Sequence, residues 1–279
     1  MTITVLMSVY DNELPDRLDR SLRSVWSDQI LRPDEVLLVL DGPIRPELMA
    51  IVRRWQEIIG SAFTLIRNKR NLGLTKSLNR GLDRIKNDLI ARMDSDDISL
   101  PHRFRAQHDF LEAHPDIDVV GGSIQEFDAE DHLRPVRHYP TDPNEIASFL
   151  CKGSPLAHPS VMMRRRIFDT GLRYDDSYPT SQDVALWFEA TKRGIKISNL
   201  EETTLLYRSD DGTISRRSRK KALNEFKIYM EGIRELHGVR TWRYVYPMGR
   251  LMLRMLPKSM IKKIYYSTLR TKVLRHKDK

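Results

Sequence analysis

The stretch IARMDSDDIS, residues 90–99, places three carboxylates, Asp94, Asp96 and Asp97, within four positions. They follow Leu89, Ile90, Ala91 and Met93, an apolar run that reads as a buried strand. Crowded acids raise one another's pKa unless a cation shares the site. Two kinds of chemistry fit. Helix capping accounts for one acid, with Asp97 the natural choice, because Ser99 and Pro101 signal a helix start just beyond it. Three acids exceed a cap's needs. A hard divalent cation, Mn2+ or Mg2+, held by oxygen ligands and open to phosphate oxygens, accounts for the set.

Other phosphate and nucleophile devices do not compete. The chain has no G-x-x-x-x-G-K-[ST] loop, no G-x-G-x-x-G, no H-E-x-x-H and no G-x-S-x-G elbow. Its eight histidines lack zinc spacing, and Cys151 is the only cysteine, which excludes a disulfide framework.

The acids need a scaffold, and the first hundred residues supply strand–helix alternation. Residues 3–7 and 36–40 read as short buried strands, and between them Leu18, Leu22 and Val25 share one helical face. Helices are expected over 47–59 and 74–85, a strand at FTLIR, and a fourth strand over 89–93. This rhythm predicts an open, mainly parallel α/β sheet flanked by helices, whose ligands bind at the carboxyl ends of the strands. The acids fall at one of those ends. After Asp97 the rhythm changes. A helix is expected over RFRAQHDFLEAH, an antiparallel strand at DIDVVGGSIQEFD, helices over 142–150 and 181–192, and strands at SVMMRR, KISN and TTLLYR. The body is expected to end near Ser215, giving units 1–215 and 216–279.

Charge divides the same way. Residues 240–279 carry 12 Lys/Arg against one acid, a local balance of +11. The net charge of the whole chain is +9, so the first 239 residues sum to −2. A near-neutral body argues against a nucleic-acid footprint. The tail reads as amphipathic helices, with Met248, Leu251, Met252 and Met255 on one face and Arg250 and Arg254 turned away. Beyond Pro257, Ile261, Ile264, Tyr265 and Leu269 repeat the pattern among Lys262, Lys263 and Arg270. Such helices either lie in a membrane interface or pack on the body with a solvated basic face. The opening MTITVLMSVY lacks a signal peptide's basic and long apolar regions, and no run reaches the roughly 20 residues of a spanning helix. A cytoplasmic protein, peripheral at the inner face of the membrane, is expected.

The motifs, taken in order, resemble those of the family 2 glycosyltransferases, inverting enzymes with a GT-A fold. TVLMSVYDNE is similar to the family's opening strand and turn, VLLVLDG to its second strand, and NLGLTKSLNRGL to a helix entry. MDSDD resembles the D-x-D metal motif, while HPSVMMRR, SQDVALWFEA and LLYRSDDGTIS resemble acceptor-side elements. The resemblance runs from about Ile3 to Ser215. It implies a nucleotide-sugar-binding half over 1–98, an acceptor half over 99–215, and a helical extension over 216–279. Asp96 would hold the metal, and Asp94 would assist it or bind the ribose. Asp41 would accept the uracil N3–H, with Tyr10 and Lys76 near base and phosphates. Asp183 would be the general base. His158 would line an acceptor pocket, or it shapes a turn before Pro159. Arg208 would clamp the diphosphate, or it is an ordinary surface arginine. Asp183 also fits a purely structural reading, two residues after Ser181 as N-cap.

Two departures stand out. Relatives often carry two acids and then Gly-Ser after the second strand, where this chain has Asp41 followed by GPIRPE. Where many have a histidine after Tyr-Arg, it has Ser209, Asp210 and Asp211. The implied reaction moves a sugar from a nucleotide-diphosphate donor to a sugar hydroxyl, the acceptor being an oligosaccharide or lipid-diphosphate-linked, in surface-polysaccharide synthesis. A sugar-nucleotide nucleotidyltransferase is a competing class, but such enzymes carry a glycine-rich basic loop where this chain reads SVYDNELPDR. A non-catalytic basic adaptor for membrane or nucleic acid is the other, and the retained acids argue against it.

Overall fold

Apolar, branched runs form the central strands in the computed structural model, which describes residues 1–209 and 219–255. β1 (Ile3–Val9), β2 (Glu35–Leu40), β3 (Phe63–Arg67) and β4 (Leu89–Asp94) alternate with α1 (Pro15–Trp26), α2 (Pro46–Ile59) and α3 (Leu74–Leu82). The strands lie side by side as β3-β2-β1-β4, all parallel. Parallel neighbours require crossovers, and helices on both faces explain why these strands are apolar on both sides. Alternate strand residues feed two cores. Leu6, Leu37, Val39 and Ile90 meet Leu78 and Leu82 of α3 on one face. Val5, Met7, Leu38 and Ala91 meet Leu18, Leu22 and Val25 of α1 on the other.

The second half comprises β5 (Ile98–Ser99), α4 (Arg103–Ala113), β6 (Val119–Phe127), β7 (Leu133–Arg137), α5 (Pro143–Leu150), β8 (Met162–Arg164), α6 (Arg166–Asp169), α7 (Gln182–Lys192) and β9 (Ile197–Arg208). The sheet continues from β4 through β8, β6, β9 and β5, with β7 paired to β6. β6 is antiparallel to β7 and β8, as expected of it, but parallel to β9. The strands expected at KISN and TTLLYR are one strand, β9. Its register against β6 shifts between Gly122 and Ser123, and Glu201 and Glu202 bulge outward at the break. Gly121 and Gly122 permit this approach: a Cβ on either would lie 2.2 Å from Asn199 Oδ1 or 2.4 Å from Thr204 Oγ1.

Two further helices follow, α8 (Arg219–His237) and α9 (Val245–Met255). Ile228, Tyr229 and Ile233 of α8 enter the same core as Trp187 and Phe188 of α7. A Cβ at Gly232 would stand 2.3 Å from the Phe188 ring, so α8 is seated in the body. The expected boundary at 215/216 lies outside the described residues, as do Asp210, Asp211, Ile261, Ile264, Tyr265 and Leu269. The expected orientation of α9 is corrected. Arg250 and Arg254 turn inward to the buried Glu225 of α8, because that carboxylate needs countercharge. Leu251 lies in the α8–α9 seam, while Met248, Met252 and Met255 face solvent. Among the described residues no helix is long and apolar enough to cross a membrane.

Candidate active site

The carboxyl ends of β1, β2 and β4 form one edge. Ser8 of β1 pairs with Asp94, and Val9 with Leu40 of β2. Beyond β4 the chain turns through the acids and returns as β5, whose Ile98 pairs with Leu206 of β9. That short pairing brings Arg208, the last residue of β9, against the acid loop. Its backbone N–H donates to Asp97 Oδ1 at 2.8 Å, and its Nε donates to the Asp96 carbonyl at 3.0 Å. Its guanidinium also lies 4.3 Å from the Phe127 ring centroid. Arg208 is buried rather than a surface arginine.

The carboxylates of Asp94, Asp96 and Asp97 offer oxygens within 4.8 Å of one another. Burial, then the charges of Asp94 and Glu13, push Asp96 up to about 7. Burial and the charges of Asp94 and Asp96 raise Asp97 well above the usual carboxylate range. Asp97 does not cap the following helix. The cap position of α4 is His102, with no side-chain cap bond, and Asp97 is held instead by β9. Its Oδ2 is buried without a hydrogen-bond partner among the described residues. An orphaned buried oxygen inside a repelling acid cluster suits a divalent cation. The residues therefore fit Mn2+ or Mg2+.

Two neighbours of this loop bear no role in the sequence reading. Glu13, in the turn after β1, accepts from Ser95 Oγ at 2.6 Å and from the Leu14 N–H at 2.8 Å. Arg92, one strand residue before Met93, is buried with one guanidinium nitrogen paired to Asp94. Its Nε and Nη1 have no partner among the described residues. The signal for Arg92 was present: a lone charge inside a buried strand is costly unless it serves the site at the strand's end. Arg103 supports it, donating to the Arg92 carbonyl at 2.8 Å.

Asp183 lies in the first turn of α7. Burial raises its pKa, while the Val184 N–H and then the Arg92 and Lys221 charges draw it down. The Arg92 charge thus bears on Asp183 as well as on Asp94, with which it is paired. Ser181 holds the cap position but makes no side-chain cap bond; its backbone is left-handed, φ 60°. Such a conformation costs a residue with a Cβ about 1–2 kcal/mol, so the surrounding fold must hold the entry to α7 in place.

The remaining expected residues divide. Tyr10 follows β1 at the same edge and is exposed. Lys76, in α3, is exposed and 3.5 Å from Asp176. Asp41, at the end of β2, is buried. Its Oδ1 accepts from Asn68 Nδ2 at 3.0 Å and the Leu72 N–H at 2.7 Å, and its Oδ2 from the Gly73 N–H at 2.9 Å. A buried carboxylate so occupied fixes the loop leading into α3. Gly42 beside it has φ 96°, and a Cβ there would sit 2.7 Å from the Asn71 nitrogen. His158 opens the short helical turn His158–Ser160, in keeping with its turn-shaping alternative. It is buried, its Nε2 is 2.7 Å from the Tyr174 hydroxyl, and it stands edge-on to Trp187. Burial and then the Arg92 charge push its pKa well below the usual range.

A mixed sheet of this order, with an acid loop at the carboxyl edge of its parallel half, has the architecture of the GT-A fold. The Glycosyl transferase family 2 model matches residues 4–172, and the chain belongs to that family; it is a glycosyltransferase. It is 30% identical over 267 residues to the amylovoran biosynthesis glycosyltransferase AmsE of Erwinia amylovora, covering 94% of this chain and 97% of that one. It is 28% identical over 270 residues to the Escherichia coli UDP-Gal:alpha-D-GlcNAc-diphosphoundecaprenol beta-1,3-galactosyltransferase, covering 96% of each. Among solved structures, S. aureus TarS 1-349 in complex with UDP-GlcNAc superposes with a TM-score of 0.66 at 16% identity, covering 99% of this chain and 76% of that one. That likeness is one of fold.

Proposed function

We propose that this glycosyltransferase is metal-dependent and inverting, moving a sugar from a UDP-sugar to a hydroxyl of a lipid-diphosphate-linked sugar acceptor. The product would enter a bacterial surface polysaccharide, such as O-antigen, capsule or exopolysaccharide. The observation that carries the reading is the acid loop, with three carboxylates within 4.8 Å and one buried oxygen unpartnered. The names of the relatives support the substrate classes: one is named for a UDP-Gal donor and a diphosphoundecaprenol-linked acceptor, another for amylovoran synthesis.

Asp94 and Asp96 would hold Mn2+ or Mg2+, with Asp97 supporting the loop. Such an ion, when bound, neutralises charge developing on the departing diphosphate. Arg208 and Lys76 supply cations on the diphosphate side, and Tyr10 offers a ring to the base. Lys76 can leave Asp176 cheaply, since an exposed ion pair contributes little. Asp183 takes the proton from the acceptor hydroxyl as its oxygen bonds to the anomeric carbon and the bond from that carbon to the phosphate oxygen breaks. Attack opposite the leaving group inverts the centre, so an α-linked donor gives a β-linkage.

In this reading residues 1–98 bind the nucleotide sugar, 99–215 the acceptor, and the basic 216–279 bring a cytoplasmic protein to the inner face of the membrane. Calorimetric titration with UDP tests the donor site. Wild type should bind UDP with Mn2+ and lose most affinity in EDTA, and Asp96→Ala should bind weakly under both conditions. Metal-indifferent UDP binding, or wild-type behaviour in Asp96→Ala, would remove the reading.

A further inference from the structure

α9 is turned opposite to a helix packed on a solvated body. Arg250 Nη1 donates to Glu225 Oε1 at 2.7 Å, and Arg254 pairs with the same carboxylate, its Nη2 at 3.3 Å from Oε1. Arg250 also stands 5.2 Å over the Tyr229 ring. With these charges held inside, Val245, Met248, Met252 and Met255 face outward at intervals of three and four residues. Trp242 continues the stripe one turn earlier. Met252 is 72% exposed and Trp242 66%. A contiguous row of five large apolar side chains marks an interaction face.

Charge selects the occupant. Leaving out Arg250 and Arg254, which Glu225 engages, residues 240–279 carry 10 Lys/Arg against one acid, a balance of +9. A second copy meeting this face across a two-fold axis would bring two such segments together, and like charge opposes that. A bilayer with anionic lipid satisfies both properties, apolar side chains entering its interface and basic ones meeting its headgroups. We infer that the Trp242–Met255 stripe is the face on which this protein docks to an anionic bilayer, with the Arg250–Glu225–Arg254 clasp holding it outward. This deepens the proposed peripheral location and rests on it.

The stripe is also tied to the site. Asn224, next to Glu225, donates to the Thr180 carbonyl at 2.6 Å and lies 3.0 Å from the Thr180 hydroxyl. Thr180 directly precedes the left-handed Ser181 and the helix bearing Asp183. One turn of α8 therefore grips α9 on one side and the entry to the base helix on the other. A docked α9 fixes the height of Asp183 above the lipid surface.

Flotation of the full-chain protein with phosphatidylcholine vesicles, with and without phosphatidylglycerol, tests the face. Wild type should float only with phosphatidylglycerol, with a blue shift of Trp242 emission. The double variant Met248→Asp, Met252→Asp should partition about tenfold more weakly, while melting and binding UDP like wild type. Flotation involves no sugar transfer, so it can fail while the enzymatic reading stands, and the reverse. Equal flotation of variant and wild type would overturn the inference, as would a dimer in vesicle-free sedimentation that the variant dissolves. Resistance of Met252 to peroxide in the free protein would assign the face instead to residues 256–279, and that too would overturn it.

Discussion

In the proposed reaction Asp183 and the acid loop have different roles, and their titrations separate them. Burial holds Asp183 above the ordinary carboxylate range, and the protonated form cannot act as a base. Turnover should therefore fall on acidification with an apparent pKa above 3.8, measured as kcat against pH at saturating Mn2+ and donor. Asp183→Asn should lower kcat by about a thousandfold or more while UDP affinity stays within about threefold; lost UDP affinity would reassign the residue. Asp96 titrates in the opposite sense for stability. Its folded value of about 7 exceeds the ordinary 3.8, so the folded protein favours the protonated form. That contribution is complete below about 4 and is lost as pH rises through about 7. Metal-free protein should melt lower at pH 8 than at pH 5, and Mn2+ should raise the melting temperature more at pH 8. Asp96→Asn should flatten both trends; a Mn2+ shift independent of pH would contradict the assignment.

At the scale of elements, the alternation of strands and helices up to Asp94 was legible because buried parallel strands write themselves as apolar runs. So was the position of the acids, since a strand's end follows from where the run stops. The continuity of β9 was not. Glu201 and Glu202 read as a break, whereas the sheet absorbs them as a bulge allowed by two glycines on the neighbouring strand, a non-local fact. The hydrogen bonds of Asp41 were hidden for the same reason, since its donors at Asn68, Leu72 and Gly73 lie far along the chain. The facing of α9 was hidden because helical spacing gives a stripe but not which side meets the protein. Gly232 tests the seat of α8. A Cβ there would strike the Phe188 ring, so Gly232→Leu should cost about 1–3 kcal/mol in urea unfolding. It should also reduce turnover more than UDP binding, because α8 carries the Asn224 contact to Thr180. A neutral midpoint would mean that α8 packs less closely than its geometry states.

For the whole molecule, a near-neutral GT-A body presents its acid edge on one side, and a helical pair that belongs to the core carries the basic end of the chain. In the proposed reading the three acids, costly in isolation, become reasonable where a divalent cation offsets their charge. The central claim is metal-dependent transfer with inversion. Its most direct measurement is product analysis after incubating the full chain with α-linked UDP-sugars and a lipid-diphosphate-linked sugar acceptor, with Mn2+ or with EDTA. The account predicts a β-linked product from at least one donor with Mn2+, and none in EDTA or with Asp183→Asn. An α-linked product, or equal transfer in EDTA, would contradict it.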